Sequence, residues 1–236
     1  MPKKDLLMRK HIAIAIDGPS GSGKSTLAKS LASHFGFVYI DTGALYRTVA
    51  LAICRAGVEV SDKDAVVRTL GTIHVGMSFV GGASVPFLNG EDVSAFIRTP
   101  EISSCASYVS AIPEVRAFLL SLQKDIAASE NVVMDGRDIG TVIIPDAQVK
   151  IFLTASEDDR ADRRFNELIE KGADVRAAEI KKQMVTRDKN DRSRAQAPAI
   201  PADDAVILDN SGFTREETFR KALEIIGSRA SIDCTV

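Results

Sequence analysis

The chain has 236 residues, of which 45 % are hydrophobic and 26 % are charged, and its formal net charge is −2. This composition is typical of a soluble protein with a full hydrophobic core, and it gives no indication of a nucleic-acid or membrane partner. No window is long and apolar enough for a signal peptide or a membrane span. The three cysteines, Cys54, Cys105 and Cys234, are widely spaced and odd in number, which favours reduced thiols. We therefore expect a cytoplasmic protein.

Residues 18–25, followed by Thr26, carry the pattern G-x-x-x-x-G-K-S, which is typical of a phosphate-binding loop. The apolar run 12–16 before it predicts a buried strand, and residues 25–35 after it predict a helix with one apolar stripe. A strand, a glycine-rich loop and a helix in this order are the context that the motif requires. The predicted ATP-binding residues are Gly18, Pro19, Ser20, Gly21, Ser22, Gly23, Lys24, Ser25 and Thr26.

The chemistry of this loop follows from its residue types. Glycines allow backbone N–H groups to turn towards a phosphate, and the helix N-terminus adds a favourable dipole. Lys24 is predicted to act as a catalytic cation near the β- and γ-phosphates. The hydroxyl of Ser25 is predicted to ligate Mg²⁺, and Asp135 is a candidate to orient the hydrated ion.

The rest of the chain alternates between short apolar runs and helical patterns. Further strands are predicted at 37–40, 132–134, 149–153 and 205–208. Helices are predicted at 44–55, 62–70, 101–110, 114–129, 156–171, 175–189 and 214–229, with Ser61 as the N-cap of the second of these.

Residues 73–93 interrupt the α/β pattern. Their apolar residues alternate, and Gly81-Gly82 and Asn89-Gly90 are turn signals. The sequence therefore predicts an α/β fold with a five-stranded parallel sheet, helices on both faces and a small antiparallel insert.

Ligands of parallel sheets bind at the carboxyl ends of the strands. That rule brings the phosphate-binding loop, Asp41-Thr42 and residues 135–138 to one cleft. Arg47 and Arg137 follow strand ends at this edge, and arginine is well suited to a phosphorylated acceptor. For Arg160, Arg163 and Arg164 the sequence leaves a solvated helix face and a functional role equally open.

Several segments, in order and over nearly the full chain, resemble the bacterial cytidylate kinases. They are residues 15–19, the run Asp41-Thr42-Gly43-Ala44-Leu45-Tyr46-Arg47, and residues 89–93, 97–101, 135–141 and 187–194. The resemblance implies a monomeric nucleoside-monophosphate kinase in three parts. These are a core (10–45, 131–156 and 203–230), an NMP-binding region with the insert (about 46–130) and a helical lid with its flanks (about 157–195).

The resemblance also implies roles for individual residues. Thr42, Arg47 and Arg137 would meet the acceptor phosphate. Ser107, Arg116 and Asp138 would recognise cytosine, whose amino donor and ring acceptors suit one carboxylate and cationic or hydroxyl donors. Arg187 and Asp191 would hold the ribose, and Arg194 would reach the acceptor site.

The expected reaction is in-line transfer of the γ-phosphoryl group of MgATP to CMP or dCMP, without a covalent intermediate. Arg137, Arg187 and Arg194 join Lys24 as candidate catalytic residues. Two alternatives remain open at this point. One is another small kinase of the thymidylate or shikimate type. The other is a nucleotide-dependent switch, although the guanine-binding N-K-x-D pattern of GTPases does not occur.

Overall fold

The computed structural model describes residues 11–80, 83–170 and 172–230, and its strands form two sheets. The strands are β1 (Ala13–Asp17), β2 (Val38–Asp41), β3 (Val75–Val80), β4 (Ala83–Leu88), β5 (Glu91–Asp92), β6 (Val132–Gly136), β7 (Val149–Thr154) and β8 (Val206–Asp209). The helices are α1 (Lys24–Phe35), α2 (Thr42–Arg55), α3 (Lys63–Leu70), α4 (Pro100–Val109), α5 (Pro113–Ser129), α6 (Glu157–Glu170), α7 (Ala177–Arg192) and α8 (Arg215–Arg229).

The main sheet is parallel and has the order β2-β6-β1-β7-β8. Its central strand β1 is fully buried. Ile14 and Ile16 pack with α1 and α8 on one face, whereas Ala13 and Ala15 belong to the core on the other face, which includes Ile126 of α5. This alternation explains the uninterrupted apolar run, because a strand covered on both faces needs apolar side chains in both directions. The predicted fold class is confirmed.

The predicted insert is an antiparallel sheet of β3, β4 and β5. Asn89 lies in the turn between β4 and β5 with a φ of 51°, in the left-handed region that asparagine tolerates. The predicted turn at Gly81-Gly82 lies outside the described residues. Beside the insert, α2 and α4 share a separate core cluster that includes Leu45, Ile53 and Val109.

Helix boundaries follow local capping chemistry, and one predicted cap is wrong. Ser61 is not the N-cap of α3; the side chain of Asp62 accepts the amide hydrogen of Ala65 at 2.9 Å. Both residue types are good N-caps, and here the carboxylate is the one that reaches the third helical amide. Helix α8 has the stronger form of this signal, a capping box between Thr214 and Glu217.

The other differences between the predicted and observed elements are small shifts of helix ends and one additional helical turn. Helix α7 begins two residues later and ends three residues later than predicted, and the predicted end of α6 at Lys171 lies outside the described residues. A π-helical turn over Ile139–Ile143, directly after β6, was not predicted. Such turns have no simple sequence signal and are frequent at functional sites.

Among the described helices, no single one is long and apolar enough to cross a membrane, although the bent pair α4 and α5 together reaches that length and composition. Cys54 and Cys105 are free thiols, and Cys234 lies outside the described residues.

Candidate active site

A cleft of about 600 Å³ lies at the carboxyl ends of the parallel strands. Its walls come from the phosphate-binding loop, the first turn of α2, helix α4, the segment after β6, the helices α6 and α7, and the segment after β8. The size is within the usual range for small-molecule sites. The cleft lies at the carboxyl ends of the strands, which is where the sequence predicted it.

The phosphate-binding loop depends on its first glycine. Gly18 has a φ of +145°, and a Cβ atom there would lie 2.0 Å from the carbonyl oxygen of Leu153, so no larger residue fits. The Lys24 ammonium donates to the carbonyl oxygen of Pro19 at 2.6 Å and to the hydroxyl of Ser22 at 3.3 Å. Burial and then the nearby Arg137 guanidinium hold the pKa of Lys24 well below its usual value. The lysine is thus a desolvated cation beside the loop.

An oxygen-rich group stands next to this lysine. The carboxylate of Asp135 accepts hydrogen bonds from the Ser25 hydroxyl and the Tyr39 hydroxyl, both at 2.9 Å. Burial, followed by the nearby Asp41, raises the pKa of Asp135 to about 6. A hydroxyl and a carboxylate are ligand types that Mg²⁺ accepts, with water and phosphate oxygens completing the shell. Ser25 and Asp135 therefore fit a magnesium ion bound together with a nucleotide.

Asp41 organises the start of α2. Its carboxylate accepts the amide hydrogen of Ala44 at 3.0 Å and the guanidinium of Arg47 at 2.7 Å, and Arg98 approaches it at 3.4 Å. Burial opposes the charge on Asp41, but Arg47 and Arg98 lower its pKa below the usual value. Thr42 next to it donates its hydroxyl to the Asp135 carbonyl at 2.8 Å. Arg47 and Thr42 both line the cleft, as predicted.

Arg116 and Asp138 form a buried ion pair in the cleft wall. The Arg116 guanidinium also donates to the Ser110 carbonyl at 3.3 Å and lies over the Tyr46 ring, 5.6 Å from its centroid. Burial raises the pKa of Asp138, and the Arg116 charge opposes that shift. Most of α5 and the whole of β6 separate the two residues in the sequence, and the fold brings them together.

Asp191 of α7 is the centre of a second charge cluster. Arg137 donates to it through Nε at 2.9 Å, Arg194 pairs with its other carboxylate oxygen, and Arg187 lies 3.9 Å away. Burial alone would raise the pKa of Asp191, but the three guanidinium groups together lower it. Burial and the neighbouring Arg137 lower the pKa of Arg187 to about 10.

Three arginines of the cleft retain unused donors. The Nε atoms of Arg47, Arg187 and Arg194 are buried and have no hydrogen-bond partner within the described part of the chain. Buried donors normally have partners, and a phosphate group offers several acceptor oxygens at once. These three donors are therefore available to hydrogen-bond an anion in the cleft.

The structure brings most of the predicted site residues to this cleft, with some exceptions. Ser103 and Ala106 of α4 and Ser110 directly after the helix line the cleft, and Ser107 does not. Three predicted residues of the loop do not line the cleft, namely Gly18, Pro19 and Ser22, and Ser22 is fully buried. Ser20 lines the cleft, but its amide hydrogen points to Asp188 at 3.0 Å.

Sequence reasoning missed two residues that hold the site. Asp17, at the end of β1, accepts the amide hydrogens of Ile139 and Gly140, each at 2.8 Å, and so fixes the turn that follows Asp138. Asn210, after β8, donates to the Ser22 carbonyl at 3.1 Å. Asp17 is the last residue of its strand and Asn210 directly follows its strand, and this strand-end position is the signal that could have located them.

The three arginines of α6 that the sequence left open now divide into two groups. Arg163 and Arg164 line the cleft, and Arg163 also donates to Asn210. Arg160 is buried behind the phosphate-binding loop. Burial therefore excludes a solvated helix face for Arg160, whereas Arg163 and Arg164 face the cleft.

Comparison with known proteins identifies the family of the chain. Residues 14–228 match the family model described as cytidylate kinase. Curated cytidylate kinases from Caldicellulosiruptor bescii, Caldanaerobacter subterraneus and Thermosipho africanus are 45 %, 46 % and 47 % identical to the chain. The alignments cover 92 %, 91 % and 90 % of this chain and 96 %, 94 % and 93 % of those proteins. The chain belongs to the cytidylate kinase family.

Proposed function

We propose that this protein transfers the γ-phosphoryl group of MgATP to CMP or dCMP, and that it releases ADP and CDP or dCDP. The observation that carries the proposal is the composition of one continuous cleft. It has a phosphate-binding loop with Lys24 on one side and the Arg116–Asp138 pair on another, and cationic side chains surround the space between them. Family membership supports the same acceptors.

The donor end of the proposed site is the phosphate-binding loop. Its backbone amides and the N-terminus of α1 attract the β- and γ-phosphates. Lys24 would exchange its contacts with Pro19 and Ser22 for phosphate oxygens. Ser25 and Asp135 would hold the magnesium ion, which supplies charge neutralisation at the phosphate oxygens when it is bound.

At the acceptor end of the proposed site, different residues bind the base and the phosphate. Asp138 is an acceptor for the exocyclic amino group of cytosine, and Arg116 is a donor for the ring nitrogen and carbonyl. Arg47 would hold the acceptor phosphate, since its Nε is unpaired, with Thr42 beside it. Asp191 would accept from the ribose hydroxyls. Ser107 does not line the cleft, and its role in recognising cytosine stays a prediction.

The chemical step needs positioning and charge neutralisation rather than a protein nucleophile. Arg137, Arg187 and Arg194 are already gathered around Asp191, where they would face the transferring group. Their pairing with that carboxylate keeps the guanidinium planes oriented before substrate binds. We propose that α6 and α7 act as a lid that excludes water, because water would otherwise accept the phosphoryl group.

The experiment that tests the proposal is ADP release from MgATP by the purified protein, with single acceptors. CMP, dCMP, UMP, AMP, dTMP and shikimate are offered one at a time. Rapid turnover with CMP and dCMP, and at least tenfold slower turnover with the others, supports the proposal. Preference for another acceptor would still support kinase activity, but it would reject the roles assigned to the base-recognition residues. ATP binding without any turnover would favour the nucleotide-dependent switch.

A further inference from the structure

The outer face of the phosphate-binding loop is joined to the two helices that cover the cleft. The Ser20 amide donates to Oδ1 of Asp188 in α7 at 3.0 Å, and the Ser20 carbonyl accepts from Arg160 in α6 at 2.8 Å. Both backbone groups of one loop residue are thus bound by two side chains from different helices. Arg160 also pairs with Asp188 directly and donates to the Ala155 carbonyl at 3.1 Å.

These two side chains are buried. Arg160 is 4 % exposed and Asp188 is 7 % exposed. The loop is also in close steric contact with the same helices, because a Cβ atom on Gly21 would lie 2.6 Å from the Met184 methyl and 2.7 Å from the Arg160 carbonyl. The position of the loop tip is therefore determined by α6 and α7 as well as by β1 and α1.

The same stretch of α7 carries residues that line the cleft. Arg187 immediately precedes Asp188, and Asp191 follows it by about one helical turn. A displacement of Asp188 relative to Ser20 would move both cleft residues relative to the phosphates held by the loop. Misplacement of about 1 Å can reduce a rate by about 10²-fold.

We propose that Arg160 and Asp188 are positioning residues that fix the distance between the phosphate-binding loop and the cleft residues of α7. This inference rests on the proposed phosphoryl transfer. A purely structural connection between α6 and α7 does not need the Ser20 contacts, since the two helices already share an apolar cluster of Ala161, Leu168, Ile180 and Met184. An exposed ion pair between Lys181 and Asp158 also links the two helices, without contact to the loop.

The test uses double variants, because removal of one partner leaves a buried charge that can prevent folding. Replacement of a buried ion pair by apolar residues of similar volume is often neutral for stability. R160M/D188L removes both Ser20 contacts, whereas R160M/D188N retains an acceptor for the Ser20 amide. The control is K181M/D158N, which removes the other connection between the same helices.

We expect R160M/D188L to lower kcat with CMP by about 10- to 100-fold, while the KM values for CMP and MgATP change by less than about threefold. R160M/D188N should recover part of kcat, and the control should stay within twofold of the wild type. Hydrogen exchange of the loop amides should accelerate in R160M/D188L, while the amides of α8 keep their wild-type rates.

The two proposals fail in different ways. A wild-type protein that does not phosphorylate CMP rejects the proposed function, and loop exchange still reports on the Ser20 contacts. A wild-type protein that turns over, with folded double variants of unchanged kcat, rejects the positioning role alone. Equal losses in R160M/D188L and R160M/D188N at equal stability would also overturn it, because the Ser20 amide contact would then be irrelevant.

Discussion

The hydroxyl of Ser25 donates to the carboxylate of Asp135 at 2.9 Å, which connects the first turn of α1 to the end of β6. The two residues are far apart in the sequence, yet their oxygen atoms lie together in the cleft, next to the loop of residues 18–25. The same carboxylate accepts from Tyr39 on the neighbouring strand β2, so its orientation is fixed on both sides. Such support allows a metal-binding oxygen to be held in place before the nucleotide arrives.

The first prediction concerns the Ser25 hydroxyl. S25A should lower kcat/KM for MgATP by about 100-fold, because loss of a positioned ligand weakens metal-ion binding and charge neutralisation. Steady-state kinetics over a range of Mg²⁺ concentrations measures this effect, and half-saturation should shift to higher Mg²⁺. S33A, which changes an exposed serine of the same helix, should behave as the wild type. A threefold or smaller effect of S25A would remove Ser25 from the proposed metal site.

The second prediction concerns Lys24. K24M should lower kcat by at least about 100-fold, which is the usual effect of removing one positioned electrostatic group from an active site. The free energy of unfolding should change by no more than about 1 kcal/mol, because the lost hydrogen bonds and the relieved burial of charge oppose each other. Turnover assays and urea unfolding measure the two quantities. K221M, on the exposed face of α8, is the control, and wild-type turnover in K24M would contradict the assigned role.

Much of the main sheet and the position of the cleft could be predicted from the sequence, because their signals are local. The apolar runs gave the parallel strands, and the motif from Gly18 to Ser25 gave the phosphate-binding loop. Partnerships between distant residues have no such signal. Arg160 has the pattern of a surface arginine on α6, and only the folded chain brings it against Ser20 and Asp188.

The unpredicted features of the site have the same physical origin. The strand-end positions of Asp17 and Asn210 could have placed both residues near the site, but their hydrogen bonds are made with backbone groups of other segments, which no residue pattern specifies. Ser107 was assigned through the resemblance alone, and its placement depends on the rotation of α4 about its axis. The periodicity of a helix does not determine which of two neighbouring residues faces a cleft.

The third prediction concerns recognition of the base. D138N should lower the preference for CMP over UMP by about 10- to 100-fold, because the carboxylate is a charge-assisted acceptor for the cytosine amino group. The amide nitrogen of asparagine can instead donate to the uracil carbonyl. The ratio of kcat/KM values for CMP and UMP measures the effect, and KM for MgATP should change little. D64N, at an exposed position of α3, is the control; an unchanged ratio in D138N would assign base recognition elsewhere.

The fourth prediction is that kcat/KM for MgATP decreases at acidic pH, which gives its pH profile an acid limb. Burial raises the pKa of Asp135 to about 6, so this carboxylate becomes neutral as the pH falls below that value. The neutral acid is a poorer magnesium ligand, and kcat/KM for MgATP should therefore fall between pH 7 and pH 5. The profile of kcat/KM reports ionisations of the free enzyme. Because Asp17 titrates in the same range, D17N is the control: the acid limb should persist in D17N, and a profile that stays level to pH 5 in the wild type would contradict the assignment.

The fifth prediction uses the linkage between protonation and stability at Asp17. Burial raises the pKa of Asp17 from its ordinary value of 3.8 to about 6, although the amides of Gly140 and Ile139 partly oppose the shift. The folded state therefore binds this proton more tightly than the unfolded state. Wild-type stability should fall relative to D17N as the pH rises from 4 to 6, by about 3 kcal/mol for a shift of about two pH units. Below pH 4 and above pH 6 the difference between the two proteins should be constant.

Urea unfolding of the wild type and D17N at pH 4, 5, 6 and 7 measures this difference. Other carboxylates, including Asp135, titrate in both proteins, so their contributions cancel in the comparison. A difference that rises with pH would mean that Asp17 is stabilised as the anion, and that its two amide hydrogen bonds outweigh the burial of its charge. The expected fall means instead that the fold keeps an ionised, destabilising carboxylate at neutral pH. In that case Asp17 is retained for the geometry of the turn after Asp138, and D17N should lower kcat/KM for CMP even though it does not lower stability at pH 7.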